Sequence, residues 1–445
     1  MKIKIVLIAL CLLLGVSSRD VFAVSWQCPG HEPVVELKKV DSLEFIELDR
    51  YRGYKPAWMA LDRTYRAAIY NWTEEAARDS YLESGDSYLD FYMYHEYLRL
   101  LMQRYPGQLE IWEIARTHFG YPVYAVLVGD SETENKADIL HLSGIHGNEL
   151  LTLNYALDAM ELLLNDEGER FSSLKSRFNF WFIPMANPDG NWLSMRRAHA
   201  STYGKKNGKN TDGTCETFAY EGIDLSGNFP QKNIKKEVEA EVAGLIQLID
   251  ARNFVLGLSL HTGGKGFYTP PQSAAQGGEE RLTLEQFSTD VASVISGFER
   301  RPLMKKTELG EIVWLYRERK IPSFIFDYPE DIAPIERAKR TEARDVFQTF
   351  ILRFWESLDS QAFLQGMIVD QAGNPVLNAH LHQVQSLRKE IVWDIPENGQ
   401  FSMIFPHKTI ITLRVTAEGY VDAEKRIDLR DGAAKTRIVL LKKEK

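Results

Sequence analysis

The sequence predicts an α/β domain, built on a mixed, mostly parallel sheet flanked by helices, with a small C-terminal β-sandwich after it. Three observations predict this architecture. Near-continuous apolar strands alternate with helical segments, polar motifs follow several of those strands, and short alternating strands separated by turns end the chain. Strands that are apolar on both faces indicate a sheet covered by helices on both sides.

Residues 1–23 have the features of a secretory signal peptide: two lysines, an apolar run from Ile5 to Val16, and the sequence Val-Phe-Ala at the end. The apolar run is too short to span a bilayer, and no later segment offers about 20 uninterrupted apolar residues. We therefore expect an exported protein, periplasmic or extracellular, without a membrane span. Cys28 and Cys215 remain after this segment, and both a disulfide and two unpaired thiols are open.

The first elements after the leader are an extension, a helix and two strands. Residues 24–84 mix aromatic and charged residues without a strong period, so we predict an extension packed on the following domain. From Tyr88 the apolar residues recur at helical spacing up to Pro106, which predicts one helix. Residues 113–129 predict two strands around a turn at Gly120.

The rest of the large domain alternates strands with helices. Apolar runs predict strands at 138–144, 178–185, 253–260 and 322–327, and helical spacing predicts helices at 150–164 and 234–250. Beyond about Leu358 the pattern changes to short strands separated by turn residues such as Asn398 and Gly399. This pattern predicts the β-sandwich of residues 360–445.

Four polar motifs each follow a predicted strand. They are HGNE at 146–149, NPDG at 187–190, HTGG at 261–264 and DYPE at 327–330. In open α/β sheets, ligands bind beyond the carboxyl ends of the strands, so we expect these motifs to converge on one rim. A catalytic zinc ion takes three protein ligands and keeps a position open, and His146, Glu149 and His261 are candidates for the three.

The charge balance bears on possible partners. The formal net charge is −9 at pH 7, and no basic stripe stands out along the chain. A nucleic-acid-binding surface needs such a concentration of lysine and arginine, so we expect no nucleic-acid partner.

HGNE, NPDG and HTGG, together with DLSGNF at 224–229, occur in the order and at the intervals of the zinc metallocarboxypeptidases related to carboxypeptidases A, B and N/E. The chain resembles that family from about Tyr88 to Phe354, which implies a zinc carboxypeptidase-like catalytic domain over residues 85–358. The tail resembles the transthyretin-like, regulatory-like domain of the N/E branch. The resemblance further implies a peptide or peptide-like substrate.

The resemblance also implies roles for individual residues. One zinc ion would be bound by His146, Glu149 and His261, and Asp224 would orient His146 from behind. Arg196 is the first candidate for polarising the scissile carbonyl and stabilising the oxyanion, with Arg197 and Lys205 as alternatives.

Several positions depart from the family pattern. Ser226 and Gly227 stand where the family carries the asparagine and arginine that bind the substrate's terminal carboxylate, and Tyr121 stands where relatives often carry arginine. Ile312 aligns with a residue that lines the substrate pocket.

The family's catalytic glutamate falls on a strand near the end of the domain. Asp327 occupies that position here, so we predict that it acts as the general base; Glu330 ranks second because it lies beyond the strand.

The function implied is an exported zinc-dependent hydrolase of the metallocarboxypeptidase type. It would cleave peptide bonds by zinc-activated water and recognise the substrate's carboxylate in an atypical way. Two alternatives stay open. One is a zinc deacylase or amidase acting on a non-standard substrate, and the other is a catalytically silent, zinc-retaining binding protein.

Overall fold

The computed structural model describes residues 34–43, 88–129, 136–166, 170–196, 204–209, 222–230, 237–252, 254–269, 289, 291, 299–302, 310–334, 336–384, 392–395, 398–405 and 409–443. The predicted signal peptide, Cys28, Cys215 and Arg197 lie outside these residues.

Among the described residues, nine strands form one sheet in the order β1-β2-β3-β5-β4-β6-β9-β7-β8. Their bounds are β1 Val34–Val40, β2 Leu109–Arg116, β3 Pro122–Val128, β4 Ala137–Ser143, β5 Phe178–Ile183, β6 Leu256–His261, β7 Gly266–Thr269, β8 Glu299–Pro302 and β9 Ser323–Asp327. The four central strands, β5, β4, β6 and β9, run parallel to one another. The flanking pairs β1-β2, β2-β3, β3-β5 and β9-β7 are antiparallel.

Seven helices accompany the sheet in the described part of the chain. They are α1 Phe91–Arg104, α2 Leu151–Leu164, α3 Ser172–Arg177, α4 Pro188–Arg196, α5 Ala240–Arg252, α6 Glu311–Arg319 and α7 Arg337–Ser357, with short 3₁₀ turns at Ser226–Asn228 and Leu358–Ser360. The predicted helix after Tyr88 begins at Phe91 because the side chain of Asp90 accepts a hydrogen bond from the Met93 amide, a typical N-cap. No helix among the described residues is both long enough and apolar enough to cross a membrane.

Both faces of the sheet are buried, and β5 shows how the sequence produces this. Phe180 and Phe182 point into the core that holds α1, α2 and α7. Trp181 and Ile183, which alternate with them, point into the core on the opposite face, together with α5 and α6 residues. A strand with apolar residues on both of its faces is required for this arrangement, and β5 has only one polar residue, the buried Asn179. The predicted α/β fold class with flanking helices is confirmed.

The C-terminal residues form two small sheets around a separate core. The first has the order β13-β10-β16 and the second β12-β11-β14-β15. The bounds are β10 Ala362–Asp370, β11 His380–Gln383, β12 Val392–Asp394, β13 Gln400–Phe405, β14 Ile410–Thr416, β15 Ala423–Asp428 and β16 Ala433–Leu440. Leu364 and Phe401 of the first sheet share one apolar cluster with Leu381 and Leu413 of the second, so the two sheets pack face to face.

This sandwich contacts the large domain at the starts of the central strands. The ring of Phe363 packs edge-on against Phe178, the first residue of β5, with centroids 5.3 Å apart. The Ser402 hydroxyl donates a hydrogen bond to the carbonyl of Phe254, just before β6. The polar motifs lie at the opposite ends of these strands, so these contacts are remote from the rim on which the motifs converge.

The segment 24–84 contributes a strand to the large sheet. β1 pairs antiparallel with β2 at the edge, with Val34 opposite Arg116. Ten residues of this segment, 34–43, are described.

Candidate metal centre

The central parallel strands bring the polar motifs to one rim. His146 follows β4 by three residues, and Glu149 lies in the turn that leads into α2. His261 is the last residue of β6 and Asp327 is the last residue of β9, and the two are paired in the register of these strands. The predicted convergence therefore follows directly from strands that run parallel and end together.

Two glycines in these motifs are required by close approaches. A Cβ atom on Gly147 would lie 2.2 Å from the backbone carbon of Gly190, so the HGNE and NPDG loops can pack together only with glycine. A Cβ atom on Gly264 would lie 2.4 Å from Oδ2 of Asp327, so this glycine leaves the space that the carboxylate occupies. Both glycines therefore position the polar residues beside them.

The three candidate ligands form one compact group. Nδ1 of His146 lies 2.7 Å from Oε1 of Glu149, and Nδ1 of His261 lies 3.0 Å from Oε2 of the same carboxylate. The Thr262 amide also donates to Oε2 at 3.1 Å and fixes the orientation of the glutamate. One ligand atom from each residue can be chosen so that all three lie within 4.8 Å of one another.

Behind His146 lies the predicted partner, Asp224. Its Oδ1 is 3.4 Å from Nε2 of His146, an electrostatic contact somewhat longer than a good hydrogen bond. Its Oδ2 is 2.9 Å from Nζ of Lys205, a side chain that is 42% exposed. Lys205, one of the alternatives for the oxyanion residue, therefore forms an ion pair with Asp224.

Behind His261 lies a carboxylate that the sequence analysis missed, Glu311. Its Oε1 accepts a hydrogen bond from Nε2 of His261 at 2.8 Å and one from the Ser259 hydroxyl at 2.8 Å. Its Oε2 accepts one from the Ser226 hydroxyl at 2.7 Å. Two signals could have found this group: Ser259 alternates onto the same face of β6 as His261, and Glu311 stands alone before the apolar run of α6.

The electrostatics of the cluster are those of a site for a cation. Burial alone would raise the pKa of Glu149, but the two histidines lower it to about 2. Burial would also raise the pKa of Glu311, but the hydrogen bond from His261 lowers it to about 2. For His261, burial would lower the pKa, whereas Glu149 and Glu311 raise it well above its ordinary value. The carboxylates thus favour positive charge between them, and a bound metal cation supplies it in exchange for protons.

The donor set fits zinc. Both histidines direct Nδ1 towards Glu149 and Nε2 towards an outer carboxylate, which is the arrangement that leaves Nδ1 free to bind a metal. Two imidazoles and one carboxylate are the ligands of one class of catalytic zinc site, in which a fourth position stays open. His146, Glu149 and His261 would therefore hold the ion.

Asp327 lies beside this group with an available oxygen. Burial raises its pKa to about 6, and the nearby His261 works in the opposite direction. Its Oδ1 is buried and accepts no hydrogen bond from any residue that the structure describes. Glu330, the second candidate for the base, is exposed.

The remaining predicted residues are placed as follows. Arg196 is the last residue of α4, and its side chain lies outside the described part of the structure. Ile312 is fully buried in α6. A Cβ atom on Gly227 would meet no atom within 4 Å, so this position is open. Tyr121 packs its ring against Phe91, with centroids 4.7 Å apart.

Comparison with known proteins identifies the domain that carries this centre. The model of the zinc carboxypeptidase family matches residues 94–308. This part of the chain belongs to the zinc carboxypeptidase family. The zinc carboxypeptidase match includes His146, Glu149, Asp224 and His261, whereas Glu311 lies beyond it.

Two relatives with assigned names match over a limited length. A metallocarboxypeptidase A-like protein of Trichophyton verrucosum is 25% identical over 157 residues, which is 35% of this chain and 34% of the relative. Zinc carboxypeptidase A 1 of Drosophila melanogaster is 27% identical over 154 residues, covering 32% of this chain and 33% of the relative. The alignments therefore span only 34% and 33% of the lengths of these relatives.

Solved structures share the fold. Thrombin-activatable fibrinolysis inhibitor has 15% sequence identity and a TM-score of 0.56, over 66% of this chain and 80% of that one. The bovine protein in complex with tick carboxypeptidase inhibitor has 16% identity and a TM-score of 0.50, over 62% of this chain and 98% of that one. At this level of identity the likeness establishes the fold alone.

Proposed function

We propose that the protein is an exported zinc-dependent hydrolase of the metallocarboxypeptidase type that cleaves peptide bonds. One observation carries the proposal: Asp327 ends the strand next to His261, and its buried Oδ1 is available beside a donor set that fits zinc. A general base within reach of the metal is what distinguishes a hydrolase from a protein that only retains the ion.

The residues of the chain divide the work of hydrolysis. When bound, zinc would activate water and polarise the scissile carbonyl. Asp327 would accept the proton of the attacking water at Oδ1 and later give it to the leaving amine, so the base ends each turnover unprotonated. Arg196 would stabilise the oxyanion. Lys205 is the weaker candidate because its Nζ already pairs with Asp224 at 2.9 Å.

Substrate recognition is proposed to be atypical. Gly227 offers only backbone where an arginine would bind a carboxylate in a bidentate manner. The Ser226 hydroxyl donates to Glu311, so that proton is not available to a substrate carboxylate. These two facts favour, as a second candidate function, a zinc amidase or deacylase whose substrate lacks a free terminal carboxylate.

The proposed base is tested with Asp327→Asn. This variant keeps the size of the side chain but cannot accept the proton, so we expect turnover to fall about 10²- to 10⁴-fold while zinc content stays at the wild-type level. Glu330→Gln is the matched control, because Glu330 is an exposed carboxylate three residues away, and it should leave turnover unchanged. Full turnover in Asp327→Asn would exclude this residue as the base.

The two candidate substrates are separated by one set of peptides, each prepared with a free and an amidated C-terminus. The products are identified by mass spectrometry. Release of single residues only from the peptides with a free C-terminus supports a carboxypeptidase. Cleavage of the blocked peptides as well supports the amidase or deacylase.

A further inference from the structure

Glu311 is a buried carboxylate that contacts His261, one of the three candidate metal ligands. It is 1% exposed, and it begins α6 immediately after Gly310. Three donors satisfy it, one from His261 and one each from the hydroxyls of Ser259 and Ser226. An ionised carboxylate is costly to bury, so this set of partners indicates that the charge itself is needed at this point.

The position of Glu311 on its helix helps to keep it ionised. The N-terminus of a helix carries a partial positive charge from its unpaired amides, and Glu311 is the first residue of α6. Its carboxylate therefore keeps a negative charge in a buried place, from where it acts on the nearest ring, that of His261.

The contact geometry fixes the orientation of that ring. Nε2 of His261 lies 2.8 Å from Oε1 of Glu311, while Nδ1 of the same ring lies 3.0 Å from Oε2 of Glu149. With Nε2–H donating to Glu311, the lone pair of Nδ1 is directed to the side on which Glu149 lies. A negative charge behind an imidazole also strengthens it as a metal ligand.

We propose that Glu311 is a positioning residue of the zinc centre, which holds His261 in its metal-binding orientation and tautomer from behind. This inference rests on the proposed zinc-dependent function. The centre then has two histidines that each face an outer carboxylate, Asp224 behind His146 and Glu311 behind His261. Ser226 and Ser259 in turn hold the carboxylate of Glu311, so the two hydroxyls support the metal centre through it.

The experiment compares zinc affinity in Glu311→Gln and in Glu241→Gln. Glutamine can still accept the hydrogen bond from His261 but carries no charge. Glu241 is a second buried glutamate near a helix N-terminus, 0% exposed and the second residue of α5, so its variant controls for placing a glutamine at such a position. Affinity is measured by competition with a chromogenic chelator, at pH 8.5 for the wild type and both variants.

The expected result is a loss of zinc affinity of about 10- to 100-fold in Glu311→Gln, with Glu241→Gln close to wild type. The absorption spectrum of the cobalt-substituted protein should also shift in Glu311→Gln and not in the control. Equal zinc affinity in wild type and Glu311→Gln, or an equal loss in both variants, overturns the role of Glu311.

A second variant and the zinc binding of the wild type complete the experiment. If Glu311→Gln does not fold, Ser226→Ala replaces it in the experiment. This variant removes one hydrogen-bond donor from Glu311 and should weaken zinc binding several-fold. Unchanged zinc binding in Ser226→Ala overturns the inference. If the wild-type protein itself binds no zinc, the proposed function fails. Wild-type binding with no effect at Glu311 refutes the inference alone.

Discussion

Arg344 of α7 and Asp158 of α2 form a buried ion pair between these two helices. Nε of Arg344 donates to Oδ2 of Asp158 at 2.8 Å, and a terminal nitrogen donates to Oδ1 at 2.6 Å. Arg344 is 8% exposed and Asp158 is 0% exposed. Because α2 begins two residues after Glu149, this pair joins α7 to the helix that follows the metal-binding loop.

Replacing Arg344 by methionine should destabilise the protein strongly. Methionine fills a similar volume, so the main effect is an uncompensated buried carboxylate at Asp158. Breaking a buried pair in this way costs about 3–5 kcal/mol of unfolding free energy. Lys339→Met on the same helix is the matched control, because Lys339 pairs with Glu336 on the surface at 3.0 Å, with side chains 54% and 67% exposed. Loss of such an exposed pair should leave the stability close to that of the wild type.

The pH dependence of the stability of Arg344→Met is a second quantity to measure. Burial raises the pKa of Asp158, and the charge of Arg344 opposes this effect. Without Arg344 the pKa of Asp158 in the folded state rises further. Asp158 then keeps its proton to a higher pH in the folded variant than in the unfolded chain. Its stability must then fall as pH rises between the two pKa values.

Urea unfolding at pH 5 and pH 8 measures both effects. Arg344→Met should lose less stability relative to wild type at pH 5 than at pH 8. A denaturation midpoint equal to that of wild type, or an equal loss at both pH values, would show that Arg344 does not stabilise the ionised form of Asp158.

Two further predictions concern Glu241 and Gly227. Burial and the charge of Asp189 raise the pKa of Glu241, so this residue makes wild-type stability fall as pH rises above the ordinary glutamate pKa. Urea unfolding of Glu241→Gln at several pH values should show a smaller fall. A pH dependence equal to that of wild type would contradict this prediction. Gly227→Arg places a guanidinium where a side chain meets no atom within 4 Å of its Cβ. If the site accepts free-acid peptides, Gly227→Arg should raise kcat/KM for them about 10-fold or more relative to amidated peptides. Gly227→Met controls for the size of the new side chain. No change in Gly227→Arg would contradict this prediction.

The sequence predicted the parts of the molecule that follow from local pattern. Apolar runs such as 178–183 could be recognised as strands buried on both faces, and His146, Glu149 and His261 could be grouped because each follows a strand of one sheet. The parallel order of the central strands then brings them together without further information.

Grouping the residues that follow strands does not find Glu311. It lies 50 residues from His261 in the sequence and meets it through a helix N-terminus rather than a strand end. The contact of Lys205 with Asp224 likewise depends on the path of a loop, which carries no periodic signal. Side chains held by tertiary contacts between distant segments are therefore the part of the site that local pattern leaves out.

Zinc-dependent hydrolysis is tested by comparing the wild-type protein with His146→Ala after reconstitution with zinc. Zinc content and peptide cleavage are measured on the same samples. We expect the wild type to bind one zinc ion and to cleave peptides, and His146→Ala, which loses one of three ligands, to do neither. A wild-type protein without zinc, or a His146→Ala variant with undiminished cleavage, would contradict this expectation.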